Sequence, residues 1–157
     1  MTIYSIEYKD GFKTAATIHP TTSREREFTN LWQQKKFSEA MQYFPDQWKW
    51  IGLEHGNEVV GDIVSSIFPG LVLSEKAFAI LNNAIPHETS FHKKIYIEGQ
   101  ILYWVNIIRV DFEEIHKTNH QLFSSKPLIT KYVSEEVYLL CKKEGLTGKN
   151  FKLVATN

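Results

Sequence analysis

The sequence predicts an α+β fold in which a mostly antiparallel sheet with a central hairpin is packed by two or more helices. The first observation behind this is KKIYIEGQILYWVNIIRVD, residues 93–111, where β-branched and aromatic residues flank Glu98-Gly99 as a tight hairpin turn requires. The second is a helix opening written twice, LVLSEKAFAIL from Leu71 and KYVSEEVYLLC from Lys131. The third is composition: 43% apolar and 13% aromatic residues in a chain of 157 suit a packed core and argue against disorder.

In chain order, TIYSIEY alternates as a strand does and runs into the turn signal Asp10-Gly11. Between Thr21 and Phe44, Ser23 offers a cap, and Phe28, Leu31, Trp32 and Phe37 recur at roughly helical spacing, so one or two helices fit, ended by Pro45. WKWIGLEHGNEVVGDIVSSIFPG, from Trp48, begins like a strand and then breaks at glycines, which reads as a short strand or hairpin followed by loop.

Ser74 and Ser134 are placed to accept from the unpaired amides of an opening helix, with Glu75, and with Glu135 and Glu136, at the positive end of the dipole. Leu73 with Phe78, and Val133 with Tyr138, have the spacing of a hydrophobic staple. The second helix should run from Ser134 to Glu144, with Lys142 and Lys143 in its last turn and Gly145 beyond it. Good helix starts also recur by chance, so the repetition alone leaves its cause open.

The arm Gln100 to Val110 is too apolar for a strand with one wet face and is predicted to be the central strand. DFEEIHKTNHQLF reads as a polar connection, KPLITKYV as a strand held to an edge by Pro127, and NFKLVAT as a last short strand.

Lysine plus arginine and aspartate plus glutamate balance at 18 each, so no basic face is advertised and nucleic acid is not an expected partner. The N-terminus lacks a basic start followed by an apolar run and no stretch reaches the length of a membrane span, so no membrane partner and a cytoplasmic location are expected. The single cysteine, Cys141, falls in a helix pattern as a small buried hydrophobe.

His116 and His120 sit four apart, as two ligands on one helical face would, but no glutamate follows the first and no third ligand is identifiable. Neighbouring acids at Glu113-Glu114 and Glu135-Glu136 diverge in either regular structure and make no acid/base dyad. GLTGKN has neither the spacing nor the position of a phosphate loop. The expectation is a protein that is not an enzyme and has no catalytic residue, cofactor or metal. Trp48 and Trp50, two apart in a strand, share a face and could be core or a binding platform.

From about Gly61 onward, GDIV, PGLVLSEKAFAIL, IYIEGQILYWVNIIRVD and KPLITKYVSEEVYLLCKKEGLTGKNFKLV occur in an order that resembles a bacterial immunity-protein family of polymorphic toxin systems. The resemblance covers roughly the last two thirds of the chain. It implies one immunity-like domain over 1–157, with a more variable part at 1–60 and a family-like core at 61–157, in which both Ser-Glu helices serve as scaffold. It further implies a protein that binds a cognate toxin or effector domain and neutralises it by occupation, without chemistry of its own. A small-ligand-binding or enzymatic α+β domain with its site between sheet and helices, and an effector-loading adaptor, are the alternatives. A homo-oligomer stays open.

The resemblance carries no partner surface. The residues with no scaffold role lie in two stretches: Trp48, Trp50, Glu54 and Glu58 in the first, and Asp111, Glu113, Glu114 and His116 in the second. Both combine acid with a turn or an aromatic, as a plug for a basic groove on a toxin would.

Overall fold

The computed structural model describes residues 2–17, 22–51, 58–66, 68, 70–126 and 130–155. It is an α+β structure built on two sheets. The strands are β1 (Ile3–Tyr8), β2 (Thr14–Thr17), β3 (Trp48–Ile51), β4 (Ile63–Ser66), β5 (Leu71–Ser74), β6 (His92–Ile97), β7 (Gln100–Val105), β8 (Ile108–Asp111), β9 (Leu122–Lys126), β10 (Lys131–Ser134) and β11 (Lys149–Ala155). The helices are α1 (Thr22–Gln33), α2 (Phe37–Ala40), α3 (Glu75–Ala84) and α4 (Glu135–Lys143). One sheet has the order β11-β1-β10-β9-β8, the other β3-β2-β4-β5-β7-β6.

The predicted hairpin is present, with β6 and β7 paired from His92↔Val105 to Ile97↔Gln100 and positive φ at both Glu98 and Gly99, the geometry of a type I′ turn. It is not central, because β6 is an edge and β7 lies beside it. The long apolar arm also breaks at Asn106 and Ile107: Gln100–Val105 stays in the six-stranded sheet and Ile108–Asp111 crosses to the other. Its apolar richness comes from serving two sheets in succession. Residues 131–134, expected at an edge, lie inside the five-stranded sheet between β1 and β9. Pro127, the reason for that expectation, lies outside the described residues, as does the side chain of Ser23.

The two helix openings prove to be one motif used twice. In the six-stranded sheet β2 runs parallel to β4, β4 pairs antiparallel with β5, β5 with β7, and β7 with β6. In the five-stranded sheet β8 runs parallel to β9, β9 pairs antiparallel with β10, β10 with β1, and β1 with β11. The chain therefore traces the same path twice, as β1-β2-β4-β5-α3-β6 and then β7-β8-β9-β10-α4-β11, and each half lends its first strand to the other half's sheet. The first half carries α1, α2 and β3 as an insertion where the second has only the connection 112–121, which opens with a single 3-10 turn.

Side chains repeat with the backbone. Ser74 accepts from the Ala77 amide at 3.1 Å and donates to Asp62 Oδ1 at 2.8 Å; Ser134 accepts from the Val137 amide at 3.3 Å and donates to Gln121 Oε1 at 3.3 Å. The aromatics four positions beyond the caps lie flat on equivalent strand tyrosines, Phe78 on Tyr103 with centroids 4.2 Å apart and Tyr138 on Tyr4 at 3.9 Å. Ile63-Val64-Ser65-Ser66 in β4 matches Leu122-Phe123-Ser124-Ser125 in β9.

The main core lies where the halves meet, with Leu71, Leu73, Leu81 and Val105 from one side and Ile6, Leu122, Val133, Val137 and Cys141 from the other. Burial pushes the Cys141 thiol up to about 11, which keeps it protonated and unreactive. A second core fills the opposite face of the six-stranded sheet, which curls around the α1–α2 insertion until edge strands β3 and β6 touch. Phe28, Phe44, Trp48, Phe68 and Trp104 pack ring against ring there.

Candidate functional site

The second of the two stretches without a scaffold role forms a ridge on an open side of the five-stranded sheet. β8 is its edge strand, paired in parallel with β9 on one side. Alternation puts Ile108 and Val110 on the outer face with Phe123, and the chain then enters a 3-10 turn over Phe112–Glu114. Ile115 fixes this turn: it is buried in a small cluster with Ile3, Phe123 and Tyr132, against which Val110 also packs. With the turn pinned from beneath, Asp111, Glu113, Glu114 and His116 are all exposed. Ile108 is 44% exposed and Phe112 48%, so two large apolar side chains flank the acids. Lys117 offsets part of the charge through a bridge to Glu114 at 3.5 Å.

The first stretch has a different fate. Trp48 is 4% exposed and its indole N–H donates to the Pro45 carbonyl at 3.2 Å, while the ring packs on Phe44 and Phe68. Trp50 shares its face and is half-buried against the same cluster. The pair is core, because the insertion supplies enough aromatic surface to cover it, and Trp48 is corrected from a partner-facing residue to a packing one. Glu58 is likewise buried and is no surface acid. Glu54 lies outside the described residues. The two stretches sit on different sheets, β3 at an edge of one and β8 at an edge of the other.

His116 and His120 do not share a helix face, since residues 115–120 form a turn and irregular chain. His120 instead meets Glu88, with Nδ1 3.2 Å from Oε2, and the same carboxylate accepts from the Gln121 amide at 2.7 Å. Among the described residues no group of three or more His, Cys, Asp or Glu side chains could hold a metal ion, and no helix is long and apolar enough to cross a membrane.

Glu88 and Asp62 were not legible as a pair, yet the internal repeat gives them matching work. Asp62 of the first half accepts from the Thr147 amide of the second at 3.0 Å, and Glu88 of the first half holds Gln121 of the second. Burial works against the ionised form of Asp62, but the Thr147 amide, the hydroxyls of Ser74 and Thr147, and Lys76 outweigh it and hold the carboxyl below its ordinary value. Both acids are tethers between halves. A shallow open groove also runs between α3 and β7, floored by the stacked Phe78 and Tyr103 and rimmed by Glu75, Asn82 and Asn83. No protein-family model matches the sequence, and no curated protein is significantly similar to it.

Proposed function

We propose that this chain is an immunity protein: it binds a cognate bacterial toxin domain and neutralises it by occlusion, with no chemistry of its own. The observation that carries this reading is the exposed ridge at residues 108–116, where Ile108 and Phe112 stand beside Asp111, Glu113 and Glu114 on a turn held rigid by the buried Ile115. Apolar anchors with a charged surround are the anatomy of a protein interface, and a preformed turn spares the ordering cost that a mobile loop would incur. The acidic surround suits the basic groove of a toxin that acts on nucleic acid or nucleotides. The order of sequence segments that resembles an immunity-protein family supports the same class. Those segments supply mainly the two repeated halves; they reach the ridge as far as Asp111, and its remainder lies in DFEEIHKTNHQLF, which has no counterpart among them.

The test is the double substitution Glu113→Lys with Glu114→Lys, titrated calorimetrically against the product of the adjacent gene at two ionic strengths. Binding should weaken by several kcal/mol and the remaining affinity should lose most of its salt dependence, with the unfolding midpoint unchanged. Wild-type affinity in the double variant would move the contact surface elsewhere. A second reading, a small-ligand domain, draws on the groove between α3 and β7, and stabilisation by a metabolite that is lost in Asn82→Ala would favour it.

A further inference from the structure

One difference between the two halves falls inside the space they share. In the first half, the residue of β5 opposite Val105 is Leu71, fully buried in the core. The matching residue of β10, opposite Ile6, is Lys131. Alternation from Val133 and Leu122 points Lys131 and its cross-strand neighbour Ser124 toward the same interior. Lys149, two residues before Phe151, which packs partly buried against the core, enters from β11 on that face, and its ammonium donates to the Ser65 hydroxyl of the facing sheet. The place is the end of the inter-sheet space away from the helices, where β1 ends at the exposed Tyr8 opposite Lys149.

Lys149 and Ser65 thus touch across the sheets, and Lys131 and Ser124 are cross-strand neighbours on the same inner face, the Ser124 hydroxyl also donating to the Ile108 carbonyl at 3.5 Å. Among the described residues neither lysine forms an ion pair. Burial and the neighbouring Lys149 push Lys131 down to about 8, and burial alone does the same to Lys149. Both are still mostly protonated at neutral pH, so two like charges are held together where the twin half keeps leucine. Such an arrangement is costly without a counter-charge.

We propose that Lys131, Lys149, Ser65 and Ser124 form a binding site for one small oxyanion of the phosphate type, seated between the two sheets. Two ammonium groups match an anion carrying between one and two negative charges, and lysine serves phosphate as a point charge with rotatable donors. Because its donors come from both halves, the anion would tie one sheet to the other. The site takes no side chain from the acidic ridge and does not rest on a toxin bound there.

Thermal unfolding in inorganic phosphate against chloride at equal ionic strength tests it. The wild-type midpoint should rise by about 3–5 °C at ten times the dissociation constant and go on rising with the logarithm of phosphate concentration. Lys131→Leu should unfold in chloride no earlier than the wild type and show no phosphate-dependent rise. In the unaltered protein, phosphate should shift the side-chain 13Cε resonances of two lysines selectively, which keeps the question answerable if the variant fails to fold. No phosphate-specific rise in the wild type, the same rise in Lys131→Leu, or small uniform shifts over all lysines would each overturn the proposal.

Discussion

Removing the two cap hydroxyls should destabilise the protein unequally, and the inequality follows from what each serine holds besides its helix. Ser74→Ala loses acceptance from Ala77 N at 3.1 Å and donation to the Asp62 carboxylate at 2.8 Å. A cap is worth about 1 kcal/mol and a hydrogen bond to a charged acceptor about 1.5–3, so the total is about 2–4 kcal/mol. Ser134→Ala loses a longer cap bond and a 3.3 Å bond to the neutral Gln121 amide, for about 1–2 kcal/mol. Urea unfolding of the two variants at neutral pH measures this directly, since a shift in midpoint at constant slope is a change in stability. Asp62→Asn combined with Ser74→Ala should show coupling of the two losses. Equal midpoints for the two serine variants, or a larger loss at Ser134, would refute the claim that Ser74 joins a helix cap to an inter-half tether.

Two further outcomes are expected. The Asp62 carboxyl is held below its unfolded value of 3.8, so its contribution is present above that pH and is lost as pH falls through the lower folded value; Asp62→Asn should flatten the acid limb of a stability–pH curve. Gly148→Ala should cost more than about 1 kcal/mol, because φ is +108° there and an added Cβ would meet the Ile63 carbonyl and the Gly61 Cα at 3.2 Å; an unshifted melting temperature would count against so close a contact of β4 with β11.

The parts of the fold that were legible are those set by neighbours in sequence. Ser74 and Ser134 signal their helices within four residues, Glu98-Gly99 signals its turn, and Phe28, Leu31 and Trp32 signal a helix by spacing. What was not legible depends on pairing across the chain. Nothing within Ile3–Tyr8 says that it inserts between β10 and β11, and nothing within Gln100–Asp111 says that it divides between two sheets. The glycine-rich surroundings of β4 read as loop, whereas Gly61 there permits the close approach to Gly148 just before β11, and Gly70 seats the chain against Trp104. The repetition of the cap motif was a real sign of duplication, but only the matching strand order separates it from coincidence. At the ridge, Asp111, Glu113, Glu114 and His116 are exposed, as polar side chains in a polar stretch should be. Trp48 went into the core because residues 22–44 brought an aromatic cluster to cover it. Lys131 could not be singled out from sequence, since its interest lies in standing where the twin half has Leu71.

The central claim, that this protein acts by occupying a toxin, is tested most directly by measuring the toxin domain's own activity while the wild-type protein is titrated in, alongside calorimetry of the same mixture. Expected are a stable complex of fixed stoichiometry, inhibition that is complete at that stoichiometry and returns to zero when the complex is dissociated by dilution or salt, and a toxin recovered chemically unchanged. Inhibition at substoichiometric amounts with a modified toxin would show chemistry instead of occupation, and a toxin that neither binds nor is inhibited would contradict the function proposed here.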